Sequence, residues 1–166
     1  MSVPPVVIGI DPGFSGAIVA MTVHGDVLAV HNMPVTEEGK LRQPDGKALA
    51  EIFFNAGIER IALVALELVH AMPKQGVSSS FRFGVNWGVV LGVLQSLALP
   101  HELVTPQAWQ KAMYASQPRG RSKADVKKTT RAFVDRRWPC QAANEGQADA
   151  LCIAEWARRH LRGGDA

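Results

Sequence analysis

Val6-Val7-Ile8-Gly9-Ile10 is an unbroken apolar run that stops at Asp11-Pro12-Gly13, the pattern of a buried strand closed by a turn. Residues 16–23 and 26–33 are two more β-rich stretches, joined by His24-Gly25 as a short hairpin connection. Asp45 is placed to cap a helix whose apolar positions Ala48, Leu49, Ile52 and Phe53 share one face, and Gly57 ends it. Residues 61–66 are apolar throughout, so this strand is expected to be covered on both faces and to deliver Glu67 at its C-terminal end. Residues 71–80 read as a loop and 81–97 as a long apolar helix, shorter and more polar than the roughly 20 apolar residues of a membrane span. A strand over 102–104 and a helix over 106–113 follow, with Pro106 in its first turn. Beyond a basic loop, Ser122 and Asp125 have capping-box spacing and open a helix to about Arg137, closed by Trp138-Pro139; a last helix is expected over 146–161.

The order β-β-β-α-β-α-β followed by helices predicts an α/β fold in which three antiparallel strands form a meander. Two further strands return through helical crossovers and lie parallel to the first. A mixed five-stranded sheet flanked by helices in this order is the RNase H-like arrangement. The length of 166 residues suits one domain, and the composition, 47% apolar and 20% charged, is that of a globular chain. Cys140 and Cys152 have neither zinc nor redox spacing, and no signal-like run follows Met1, which together predict a cytoplasmic setting.

Charge changes the picture. The net charge is only +3, but residues 1–104 carry −3 and residues 105–166 carry +6. Nine Lys and Arg side chains fall within 111–137 against Asp125 and Asp135 alone, a balance suited to a phosphate backbone or to a solvated helix face.

Asp11 and Glu67 each end a buried strand. If those strands are adjacent and parallel, the two carboxylates are neighbours at the edge where sites form in such sheets. Side by side they repel unless a cation lies between them, and oxygen ligands favour Mg²⁺ or Mn²⁺ over zinc. Asp149 shares a helix face with Cys152, Ile153 and Trp156, and Glu145 lies one turn earlier, so both acids can approach the same ion. Each also has a plain reading: Asp11 as a turn former, Asp149 and Glu145 as acids at a helix N-terminus. Four such acids beside a basic segment point to phosphodiester hydrolysis with two ions. His24, His31, His70, His101 and His160 have neither metal nor triad spacing, so a nucleophilic mechanism finds no support.

The segments Ile8-Gly9-Ile10-Asp11-Pro12-Gly13, Glu67-Leu68-Val69-His70-Ala71-Met72-Pro73, Gln75-Gly76-Val77-Ser78-Ser79, Thr105-Pro106-Gln107-Ala108-Trp109 and Ala148-Asp149-Ala150-Leu151 span nearly the whole chain in order. Together they resemble RuvC-type Holliday-junction resolvases, closest to the bacteriophage and prophage branch. The resemblance implies an RNase H-like homodimeric endonuclease that uses Mg²⁺, two ions per site, to nick two strands of a four-way DNA junction symmetrically. Asp11, Glu67 and Asp149 fall on the family's catalytic acids. The fourth acid departs from the pattern: the family has Asp or His three or four residues before the last Asp, where this chain has Gly146 and Glu145. The family's basic residue at the start of the penultimate helix falls on Lys123, and His70 occupies a position where housekeeping members carry a junction-contacting aromatic. Lys74, Arg82, Arg119, Arg121 and Lys127 complete the expected DNA-contacting set.

Gly84, Gly88 and Gly92 lie on one face of the long apolar helix. That face is either packed tightly on the sheet or forms a dimer seam, as this helix does in the resembled family, with Asn86 and Trp87 beside it. Three other readings compete. An actin-like ATPase or kinase needs two related domains. A non-catalytic branched-DNA-binding protein has no use for an intact acid set. A nuclease for forks, flaps and three-way branches differs from a resolvase only in surface shape.

Overall fold

The computed structural model describes residues 3–38, 41–68, 76–114 and 122–163. Three strands open it, β1 (Val6–Asp11), β2 (Ala17–Thr22) and β3 (Val27–Asn32), followed by a small separate hairpin of β4 (Val35–Glu38) and β5 (Leu41–Pro44). Then come α1 (Gly46–Asn55), a 3₁₀ turn over Ile58–Arg60, β6 (Ile61–Glu67), α2 (Val77–Ser96), β7 (His101–Val104), α3 (Pro106–Met113), α4 (Lys123–Arg137) and α5 (Glu145–Gly163). The main sheet runs β3-β2-β1-β6-β7. Its β1/β2 and β2/β3 pairs are antiparallel, and its β1/β6 and β6/β7 pairs parallel.

Strand parity sorts the core into two layers. Val6, Ile8 and Ile10 face α1 and α2 with Val64, Leu66, Leu49, Phe53, Val90 and Leu94. Val7, Leu63 and Ala65 face the opposite way, against Trp109 of α3, Val134 of α4 and the Ala148–Ala157 stretch of α5. Alternation therefore puts Asp11 and Glu67 on the α5 side of the sheet. Ile10 pairs with Leu66, so the two acids leave the sheet side by side.

The helix starts predicted at Asp45 and Ser122 are present. Asp45 Oδ1 accepts from Lys47 N and Ala48 N, both at 3.0 Å. Ser122 and Asp125 close a reciprocal capping box at α4. Gly57, just past α1, has φ of 81°, the left-handed conformation in which glycine is least strained.

Two elements differ from expectation. The β4/β5 hairpin occupies a stretch that carries no alternating apolar pattern, because its strands pair only with each other at the sheet's margin. Helix α2 begins at Val77, so Ser78 to Ser80, read as loop, form its first turn behind the backbone of Gly76. At 20 residues it is long and apolar enough to cross a membrane by length and composition, which corrects the reading of it as too short. Its Asn86, Val90 and Leu94 are nevertheless buried, with Val90 and Leu94 packed in the α1/α2 layer of the core.

The tightest contact joins β1 to α5. A Cβ on Gly9 would lie 2.2 Å from Ala154 N and 2.4 Å from Ala150 O, so only glycine lets the helix lie directly on the strand. Gly9→Ala should therefore lower stability by at least about 3 kcal/mol, since backbone on both sides resists relaxation. Urea unfolding of the variant beside the wild type measures it.

Candidate active site

Three carboxylates converge at the C-terminal ends of β1 and β6. Asp11 continues β1 into the turn, where its Oδ1 accepts from Gly13 N at 3.0 Å. Its turn-forming role is thus real, and it coexists with burial that raises its carboxyl above the ordinary value. Glu67 is held by two indoles. Trp109 Nε1 of α3 donates to Glu67 Oε1 at 2.9 Å, and Trp87 Nε1 of α2 donates to the Glu67 carbonyl at 3.1 Å. Burial first, then repulsion from Asp11 and Asp149, push the Glu67 carboxyl up to about 7 against the opposing bond from Trp109. Asp149, in the second turn of α5, is pushed up to about 7 by burial and by repulsion from Asp11 and Glu145, with Lys127 opposing.

Glu145 sits differently. It is exposed at the rim and forms an ion pair with Lys127 of α4. That contact raises the Lys127 ammonium, and Asp149 adds to it. The described lysine nearest the acids is thus Lys127, one helical turn beyond the Lys123 that motif position favours. Lys123 and Arg82 are exposed. His70, Lys74, Arg119 and Arg121 lie outside the described residues. At the family's other option for a fourth acid, Gly146 has no room for a side chain: a Cβ there would stand 1.9 Å from Ser15 O.

Both tryptophans would have been hard to assign from spacing. Trp109 belongs to the Thr105-Pro106-Gln107-Ala108-Trp109 segment but carries no titratable group, and Trp87 lies next to Gly88 on α2. Its indole nitrogen reaches the Glu67 carbonyl, and Asn86 is buried with no partner for its Oδ1 among the described residues. The glycines themselves are exposed, and a Cβ on Gly84, Gly88 or Gly92 would meet nothing within 4 Å. Tight packing of this face on the sheet is therefore excluded. Cys152 is buried and its thiol is pushed up to about 12, first by burial, so it is no nucleophile at neutral pH.

The donor set suits a hard divalent cation. Asp11, Glu67 and Asp149 offer only oxygen and raise one another's pKa, the pattern that a cation relieves. As they stand, no three Asp, Glu, His or Cys side chains among the described residues are gathered closely enough to hold an ion.

No protein-family model matches the chain, and no curated protein does. Solved structures do. The chain is similar to Thermus thermophilus RuvC in complex with a Holliday junction substrate, at 20% identity and a TM-score of 0.66, covering 96% of each chain. A second Thermus thermophilus RuvC structure matches at 21% identity and a TM-score of 0.57, again over 96% of each chain. At these identities the likeness is one of fold, and the fold is that of RuvC.

The raised carboxyls make stability depend on pH. Between the ordinary carboxyl values, 3.8 for Asp and 4.5 for Glu, and about 7, the folded state binds more protons than the unfolded chain. Stability therefore falls as pH rises from about 4 to 7. In chelator, Asp149→Asn should be more stable than wild type at pH 8, on the order of 2 kcal/mol, and about equal at pH 4. Urea titrations at the two pH values check this.

Proposed function

We propose that the chain is a divalent-cation-dependent endonuclease that resolves four-way DNA junctions by paired symmetric nicks, as a homodimer of RuvC type, phage and prophage branch included. The observation that carries this reading is the convergence of Asp11, Glu67 and Asp149 from β1, β6 and α5 on a RuvC-like scaffold, each with a raised carboxyl. Asp11, Glu67 and Asp149 would hold Mg²⁺, or Mn²⁺ in its place, with Glu145 joining them only if it leaves Lys127. When bound, a pair of such ions lowers the pKa of the attacking water and stabilises the leaving oxygen.

The rest of the work belongs to side chains. Trp109 fixes one Glu67 oxygen, Oε1, and so orients the carboxylate. Lys127, at the acid cluster, can exchange Glu145 for a phosphate oxygen, and Lys123 begins the same helix one turn earlier. The basic residues of 111–137 would hold the backbone of the arms, so binding should weaken steeply with salt. The open glycine face of α2, with Phe81 and Val77 exposed on the same helix, is suited to a second copy, because a two-fold pair gives one site to each of two equivalent strands.

Labelled four-way, three-way and linear DNA, incubated with and without Mg²⁺, tests the reading. Asp149→Asn should lose cleavage by at least about a thousandfold while junction binding stays within about twofold of wild type, and Glu145→Gln should lose less. Cleavage of three-way and flap DNA as fast as four-way DNA would replace junction selectivity with a broader branched-DNA activity. Cleavage by Asp149→Asn at the wild-type rate would sink the metal site.

The dimer has its own test. Because nothing within the described monomer crowds a Cβ at residue 88, Gly88→Leu should keep the wild-type melting profile at low concentration while weakening self-association about tenfold or more. Sedimentation velocity across a concentration series reads both species, and a wild type that stays monomeric at micromolar concentration with full activity would exclude the seam.

A further inference from the structure

Beside the acid cluster lies a groove of about 460 Å³ to which neither the acids nor the basic segment assigns a role. Phe14 and Ser15 of the turn after β1, Asn32 at the end of β3, Arg42 of β5, and Asn144 with Glu145 at the start of α5 line it. Glu145 belongs to both places, so whatever occupies the groove adjoins the acids.

The walls select a class of ligand. The Arg42 guanidinium lies over the Phe14 ring, 5.1 Å from its centroid, so the two form a layered cation–π pair whose outer face is the platform open to a third planar group. The groove is also lined by a hydrogen-bonded set of carboxamides. Asn32 Oδ1 accepts from Asn144 Nδ2 at 3.0 Å and from Gln147 Nε2 at 2.8 Å. Asn144 Oδ1 accepts from Gln147 N at 2.9 Å, and Gln147 Oε1 accepts from Ala143 N at 2.7 Å. These bonds fix which way each amide faces, and they leave the Asn32 Nδ2 hydrogens as donors without a partner among the described residues. An anion is a poor occupant, because Glu145 stands in the wall and Glu37 lies 3.6 Å from Arg42. A neutral planar heterocycle with an acceptor edge satisfies both walls: it stacks on the platform and accepts from Asn32. The volume falls in the range of small-ligand sites, roughly 300–1,000 Å³.

We propose that this groove is a nucleobase subsite that takes one unstacked base of the strand whose phosphate lies at the acid cluster. The proposal rests on the nuclease reading above for the identity of that strand. It assigns to Phe14 and Arg42 the stacking, and to Asn32 a contact with the base edge, so that a base beside the cut is held out of its helix while the neighbouring phosphate is positioned.

The test is a binding cycle in chelator, separate from cleavage. Wild type and Phe14→Ala are titrated with a four-way junction and with a set of junctions carrying one abasic site each, placed in turn at the nucleotides on either side of the nick mapped with Mg²⁺. Phe14→Ala should weaken binding to the intact junction about tenfold, and Phe14→Tyr, which keeps the ring, should bind like wild type. At one position the abasic site should cost wild type the same factor, and Phe14→Ala should lose nothing more on that DNA. Phe14 is only partly buried, and a melting curve confirms that the variant is folded. Losses that multiply at every position, or no loss in Phe14→Ala, overturn the subsite. Failure of the nuclease reading shows elsewhere, as absence of Mg²⁺-dependent nicking by wild type; the abasic set is then centred on the branch point, and the same two outcomes decide the subsite.

Discussion

The close contact of α5 with β1 is the constraint on which the site depends. Gly9 has no side chain, and the helix residues that meet it are Ala150 and Ala154, both buried. That combination lets a helix lie against a strand at a separation that larger residues would forbid. The same register carries Asp149 over the ends of β1 and β6. Had Gly9 been a valine, the helix would have to lift away, and the third carboxylate would leave the other two. A packing device in the middle of the sheet thus sets an electrostatic arrangement at its edge.

That arrangement works against stability and for chemistry. Two carboxyls pushed up to about 7 and a third raised beside them are groups that the fold would hold more easily as amides. The surroundings offset only part of the cost: Gly13 N donates to Asp11, Trp109 to Glu67, and Lys127 draws on Asp149 from the rim. Contrast Glu155, buried six residues further along α5. Burial alone would raise its carboxyl, but Arg158 and Arg159 outweigh burial and hold it below the ordinary value. The chain therefore outweighs burial with two arginines at one acid and leaves three others only partly compensated. Acids so placed are suited to binding a cation or giving up and taking protons.

Elements whose signal is hydrophobic were legible in the sequence. The apolar runs of β1 and β6, the parity that turns Asp11 and Glu67 to one side, and the caps at Asp45 and Ser122 all depend on local pattern. The β4/β5 hairpin was not legible, because its two strands satisfy each other's backbone and only Val35 and Pro44 among its described side chains turn inward, too few for an alternating pattern. The start of α2 was obscured by three serines that favour turns and caps in isolation but here continue into a helix fixed by Val90 and Leu94. In the site, Asp11 and Glu67 announced themselves by position at strand ends, and Asp149 by its face on the last helix. Their partners did not: Trp109, Trp87 and Lys127 come from three different helices, and only folding shows which atom each one reaches. The glycine triplet illustrates the same limit, since its spacing is equally consistent with a buried face and an open one, and the structure chooses the open face.

The two layers also separate the acid cluster from the open glycine face. The acids and α4 belong to the side of the sheet packed by α3, α4 and α5, whereas the open glycine face belongs to α2, on the other side. Strand, indole and carboxylate connect them at one point. Trp87, anchored on α2, bonds the carbonyl of the residue whose carboxylate Trp109 holds from the opposite layer. A change in α2 on pairing with another chain would therefore reach the Glu67 backbone through a single hydrogen bond, while the Glu67 carboxylate remains tied to α3. This geometry favours transmitting orientation over transmitting charge: the indole bonds the backbone at the end of β6, and the described contact between the glycine helix and the acids is that one neutral hydrogen bond. The acids and the glycine face thus lie on opposite layers, joined among the described residues at one strand end.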